Sequence, residues 1–178
     1  MKSVLLAAAA TALAAGGAQA QESGFSLGAG YQHFNTSRAN FDLLTLRASF
    51  DFSEYLAVEA DGQIGLGSKS VFFPGAGGPG VGSMKFDYGL GGFLRAHAPL
   101  GDQLTAFVRV GYAFVETSGS IDTLSVSENS DGVAFGGGFE WAFAGPNMLR
   151  VDYTRYELSS TELDGGADGF GVSFVRRF

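Results

Sequence analysis

The sequence predicts an all-β chain, a closed antiparallel eight-stranded transmembrane β-barrel. Three observations predict it. Apolar residues alternate with polar or small ones along eight segments. The connections between those segments alternate between short and long. The apolar set is too bulky for the inside of so small a barrel.

Composition agrees with this. Gly occurs 28 times and Phe 17 times in 178 residues. A sheet with large aromatics on one face and small residues on the other needs that mixture.

Residues 1–20 read as a signal peptide. Lys2 supplies the positive start, residues 4–15 are apolar, and Ala18-Gln19-Ala20 offers a small-x-small cleavage site after Ala20. The apolar stretch is shorter than the ~20 residues of a spanning helix. Residues 21–178 are then the barrel.

The strands follow in order. Residues 24–34 place Phe25, Leu27, Ala29 and Tyr31 on one face. In 41–52, Leu44, Leu46, Ala48, Phe50 and Phe52 oppose Thr45, Arg47, Ser49 and Asp51. In 55–66, Leu56, Val58, Ala60, Ile64 and Leu66 oppose Glu59, Asp61 and Gln63. In 84–97, Phe86, Tyr88, Leu90 and Leu94 oppose Lys85, Asp87, Arg95 and His97. In 104–115, Leu104, Ala106, Val108, Val110, Tyr112 and Phe114 oppose Thr105, Phe107, Arg109 and Gly111. In 132–143, Val133, Phe135, Phe139, Trp141 and Phe143 oppose Gly136, Gly138 and Glu140. In 148–158, Leu149, Val151 and Tyr153 oppose Arg150, Asp152 and Thr154. In 168–178, Phe170, Val172, Phe174 and Phe178 oppose Gly171, Ser173 and Arg177.

Segments 51–54, 98–103 and 144–147 are short and rich in turn formers. Segments 35–40, 67–83, 117–131 and 159–167 are longer and read as external loops. The Gly- and Pro-rich 67–83 stretch is expected to be mobile. In outer-membrane barrels short turns face the periplasm and long loops face outward.

Volume decides which face points inward. The apolar set holds roughly sixteen aromatic rings, each burying ~150–250 Å², and an eight-stranded barrel has room only to be filled by side chains. The aromatic face therefore points out, into lipid, where closure satisfies every backbone group. The inner set combines glycines with charges. Arg47, Lys85, Arg95, Arg109, Arg150 and Arg177 are set against Asp51, Glu59, Asp61, Asp87, Glu140 and Asp152. Buried charges must be paired, so these residues are expected to form a salt-bridged plug. An ion path is the alternative.

Several function classes lack material. There is no Cys and only two His, so no thiolate site forms and no metal or other cofactor is expected. The formal charge is -7, and loss of Lys2 with the leader makes the mature chain one unit more acidic. That disfavours nucleic acid. His33, with Ser37 and Asp42 nearby in sequence, could serve a lipid hydrolase, but reads more simply as a polar residue at the membrane boundary. His97 reads as a satisfied histidine of the interior or the periplasmic rim. Residues 75–80 lack the Lys and helix start of a phosphate cradle. Glu116, Asp122, Glu128, Asp131, Glu157, Glu162, Asp164 and Asp168 read as a solvated acidic surface.

The whole mature chain resembles the small eight-stranded outer-membrane proteins of Gram-negative bacteria, the outer-membrane-protein-A and X types, Ail-type adhesins and opacity proteins. The most specific element is Gly169-Phe170-Gly171-Val172-Ser173-Phe174-Val175-Arg176-Arg177-Phe178. The resemblance implies that Phe170, Val172, Phe174 and Phe178 form the signal read by the barrel-assembly machinery. Arg176 departs from the pattern, and near the rim a long Arg can snorkel to the headgroups. The resemblance implies an integral outer-membrane protein with a structural or surface-interaction role and no catalysis. A narrow pore, an adhesin and a lipid-A-modifying enzyme are the alternatives. Outer-membrane lipid, lipopolysaccharide, periplasmic chaperones and the assembly machinery are the expected partners, and any host ligand stays open.

Overall fold

A computed structural model of the protein describes residues 24–37, 39–75, 78–121, 124–159 and 165–178. The leader, with its cleavage site, lies outside the described residues, as do Asp122, Glu162 and Asp164. All described elements are strands: β1 (Phe25–Asn35), β2 (Asn40–Asp51), β3 (Leu56–Gly65), β4 (Ser68–Gly75), β5 (Gly78–Pro99), β6 (Leu104–Ile121), β7 (Leu124–Ala144), β8 (Asn147–Ser159) and β9 (Gly165–Arg177). Every neighbour is antiparallel, and pairing of β3 with β5 closes eight strands into a barrel while β4 stands aside.

One ladder row gives the stagger. Leu56 pairs with Ala96, and the row continues through Val108, Gly137, Tyr153, Phe170, His33 and Asp42. Leu66 N then donates to Asp42 O at 2.8 Å, so the row returns to β3 ten residues above its start. Eight strands with that stagger tilt by about 40° and carry the row about 25 Å along the axis. His33 and Asp42 therefore sit one membrane-band height above the short-turn end.

Side-chain exposure follows the alternation. Val108 is 63% exposed and Leu90 58%, while Arg109 beside Val108 is 3% exposed. The short connections lie at one end and the long hairpins at the other.

Three expectations are corrected. Within segment 67–83, residues 68–75 form β4 and residues 78–83 the start of β5, paired from Ser68–Lys85 to Gly75–Gly78, so the described part is a ladder and not a free loop. Segment 117–131 is also ladder, with β6 and β7 paired out to Ile121 and Leu124. These pairs extend β4 to β7 beyond the band as a one-sided sheet. Third, the register slips between Phe86 and Tyr88, leaving Asp87 as an extra residue. A bulge reverses the alternation beyond it. Phe86 is consequently fully buried inside the barrel, not facing lipid with Tyr88.

Candidate functional site

The lumen is filled in layers. Its ionic layer is built from Arg47 on β2, Glu59 and Asp61 on β3, Arg95 on β5, Arg109 on β6, Glu140 on β7, and Arg150 and Asp152 on β8, all buried. Arg47 grips Asp61 through Nε at 2.7 Å and Nη2 at 3.0 Å, and reaches Asp152 through Nη1 at 3.2 Å. Arg109 donates to Asp61 at 2.6 Å and to Thr154 Oγ1 at 2.7 Å. Arg150 binds both oxygens of Glu59, at 2.7 and 3.2 Å. Glu140 accepts from Arg95 at 2.7 Å and from Arg150 at 3.1 Å. Each guanidinium thus meets carboxylates on more than one strand. Such two-pronged, shared pairing is what makes buried charge tolerable.

Two rings lie among the charges. Arg109 stacks on Phe93 at 4.2 Å and Arg150 on Phe107 at 3.9 Å. Glycine makes the space for them. A Cβ on Gly91 would lie 2.7 Å from Phe93 Cε2, and one on Gly138 3.0 Å from Phe107 Cζ.

Above the charges, Gln63 Nε2 donates to Gln32 Oε1 at 2.7 Å and to Tyr156 OH at 3.0 Å. Above that layer lies an apolar cap of Phe34, Phe41, Leu43, Phe86 and Val115, with Tyr156. Phe34 meets Phe86 and Tyr156 edge-on at 5.6 and 5.2 Å. The inner face is therefore not glycine and charge alone, because several aromatics do lie inside. Their signal was in the sequence, since Phe34 and Phe41 hold inward positions of their strands.

The remaining residues of the expected charge cluster lie elsewhere. Lys85 bonds Asp87 at 2.8 Å, and their side chains are 40% and 21% exposed at the long-hairpin end of β5, because the bulge turned Lys85 away from the lumen. Asp51 holds Arg95 at 3.1 Å at the short-turn mouth, with the half-exposed Arg177 at 3.6 Å. His97 faces the same mouth. Its Nδ1 is buried with no hydrogen-bond partner among the described residues.

Phe170, Val172 and Phe174 are exposed on the outer face of β9. Phe178 N donates to Phe25 O at 2.9 Å, and the two rings lie 6.2 Å apart. The C-terminal residue therefore fastens the seam between the first and last strands. Arg176 reaches over the Phe178 ring at 5.7 Å.

The outer face ends in a girdle that sequence reasoning missed. Tyr31 donates to Asp42 at 2.5 Å, Tyr153 to Asp168 at 2.6 Å and Tyr112 to Asp131. A tyrosine facing hydrocarbon needs an acceptor at its polar tip, and these carboxylates lie at the outer edge of the apolar band. The acids read as freely solvated are thus partly engaged. Asp42 also accepts from His33 Nδ1 at 3.0 Å and from Lys69 Nζ at 3.1 Å. Arg155 bridges Glu157 at 2.8 Å and Asp168 at 3.0 Å. Ser37 lies on the turn that Thr36 closes by donating to Ala39 O at 2.7 Å, and the partner of His33 is Asp42. Among the described residues no group of three or more His, Cys, Asp or Glu is placed to hold a metal ion.

A closed barrel with an apolar outer belt and a lumen packed by paired charges is a transmembrane β-barrel. Residues 4–178 match the outer membrane protein beta-barrel domain, and the chain belongs to that family. It is an integral protein of the outer membrane. Neisserial surface protein A has a similar fold at TM-score 0.65 and 12% identity, over 88% of this chain and 98% of that one. OprG of Pseudomonas aeruginosa gives 0.65 and 11%, over 88% and 98%. Ail, the attachment invasion locus protein of Yersinia pestis, gives 0.60 and 14%, over 86% and 97%. No curated protein matches the chain by sequence.

Proposed function

We propose that this protein is a non-conducting, non-catalytic outer-membrane barrel that acts through its outward surface. The observation that carries this reading is the ionic layer, which links six strands across the lumen. An ion entering must displace a guanidinium from two carboxylates at once, and the apolar cap above offers it no ligand. Chemistry needs a nucleophile beside the His33–Asp42 pair, and the residues bonded to Asp42 are Tyr31 and Lys69. What remains is the rigid barrel, with β4 and the outer ends of β5 to β7 raised above the membrane for contact with other molecules. The leader, cleaved after Ala20, delivers the chain to periplasmic chaperones, and the assembly machinery reads Phe170, Val172, Phe174 and Phe178.

Planar bilayers test this reading. The purified barrel should insert without discrete conductance steps. A stable ohmic channel would make it a pore.

A further inference from the structure

The Asp42 cluster contains more than its tyrosine requires. The three donors that converge on its carboxylate come from β1, from the same strand's neighbour Tyr31, and from β4. Tyr31 and His33 Nδ1 bind Oδ1, while Lys69 binds Oδ2. One carboxylate thus holds an imidazole and an ammonium side by side. Both remain accessible, with His33 39% and Lys69 46% exposed at the side chain. Nδ1 is committed to Asp42, so the Nε2 of His33 is the nitrogen left for a ligand.

The ladder row places this cluster. His33 and Asp42 lie about 25 Å of axial rise above Leu56, at the outer boundary of the apolar band. Beneath them the face is apolar, with Phe170 55% and Val172 48% exposed. A molecule meeting both surfaces has acyl chains against Phe170 and Val172 and a headgroup level with Lys69 and His33.

We propose that Lys69 and His33, positioned by Asp42, bind the phosphate monoester of an outer-leaflet glycolipid. This rests on the outer-membrane reading above. A monoester carries ≈ −1.5 to −2 charge near neutral pH. It can accept from the ammonium and from a protonated imidazole, or give its own P–OH proton to neutral Nε2. A phosphodiester has no P–OH proton to give a neutral Nε2, and against a protonated imidazole its single charge faces two cations. The site therefore favours phosphorylated glycolipid over ordinary phospholipid.

The test uses the purified full barrel in detergent micelles, with diphosphorylated lipid A as probe and native mass spectrometry as readout. The variants are Lys69→Gln and the double variant Lys69→Gln/His33→Ala. Circular dichroism checks that each remains folded. Each lost charge-assisted contact should weaken lipid A binding about tenfold. Lys85→Gln, at the same end of the barrel but outside the cluster, should leave it unchanged. Phosphatidylglycerol at equal negative charge should bind more weakly to the wild type, with a smaller loss in the variants. Equal lipid A binding by wild type and double variant overturns the proposal. So does phosphatidylglycerol binding with the same affinity and the same sensitivity to Lys69→Gln. Displacement of lipid A by inorganic phosphate at matched concentration overturns the lipid source. None of these results alters the conductance expected of the barrel, so the two readings fail separately.

Discussion

Arg47 and Asp61 face each other across the β2–β3 ladder and are joined by two parallel N–H···O bonds of 2.7 and 3.0 Å inside the lumen. Neighbouring strands are held by backbone bonds in any barrel. This pair adds a side-chain bond whose loss leaves a buried carboxylate. Asp61 then keeps only Arg109, and Asp152 loses one of its three cations. Arg47→Ala should cost about 3–5 kcal/mol, the range for stranding a buried charge, less whatever water the vacated space admits. Urea unfolding in lipid vesicles measures it.

Arg109 reports which acids are coupled. Its carboxylate partners are Asp61, Glu59 and Asp152, while Glu140 bonds Arg95 and Arg150. Asp61→Ala added to Arg109→Ala should therefore recover part of the loss. Glu140→Ala added to Arg109→Ala should recover none. A double-mutant cycle on unfolding free energies reads the difference.

Deleting Asp87 removes the extra residue and leaves Phe86 opposite Thr117 and Tyr88 opposite Glu116, so plain alternation keeps Phe86 inside and Tyr88 outside. The deletion should cost little. Phe86→Ala empties a buried Phe site in the apolar cap and should cost about 3–5 kcal/mol. Urea unfolding in lipid vesicles compares the two, and a deletion as costly as Phe86→Ala would mean that the bulge residue itself holds Phe86 in the lumen.

Deleting Phe178 should leave export intact and lower the amount of folded barrel in the outer membrane, because the seam contact to Phe25 is lost with the assembly signal. Fractionation with heat-modifiable electrophoretic mobility reads both quantities.

Much of this was legible in the sequence. Period-two alternation located all eight barrel strands, and the volume argument set their inner and outer faces. It also placed Arg47, Glu59, Asp61, Arg95, Arg109, Glu140, Arg150 and Asp152 inside. The pairing among them was not legible, because facing partners such as Arg150 and Glu59 lie 91 positions apart. Asp87 as a bulge leaves no mark in composition, so one polar residue misplaced both Phe86 and Lys85. The β4 hairpin reads as loop because Gly and Pro dominate it, although its ladder rests on backbone bonds. The tyrosine girdle escaped notice because a long side chain reaches a carboxylate off its own row. His33 was correctly placed at the outer end of β1, and its link to Lys69 runs through β4, which was not expected as a strand.

Valine methyls give the most direct test of the inside–outside assignment, on which everything else depends. Val108, Val110, Val151 and Val172 are about half exposed or more on the outer face, whereas Val115 and Val175 are each 4% exposed and face inward. In a lipid nanodisc, nuclear Overhauser contacts from lipid chain methylenes should reach the first four and bypass Val115 and Val175. Lipid contacts at Val115 and Val175, with silence at Val108 and Val110, would contradict the account.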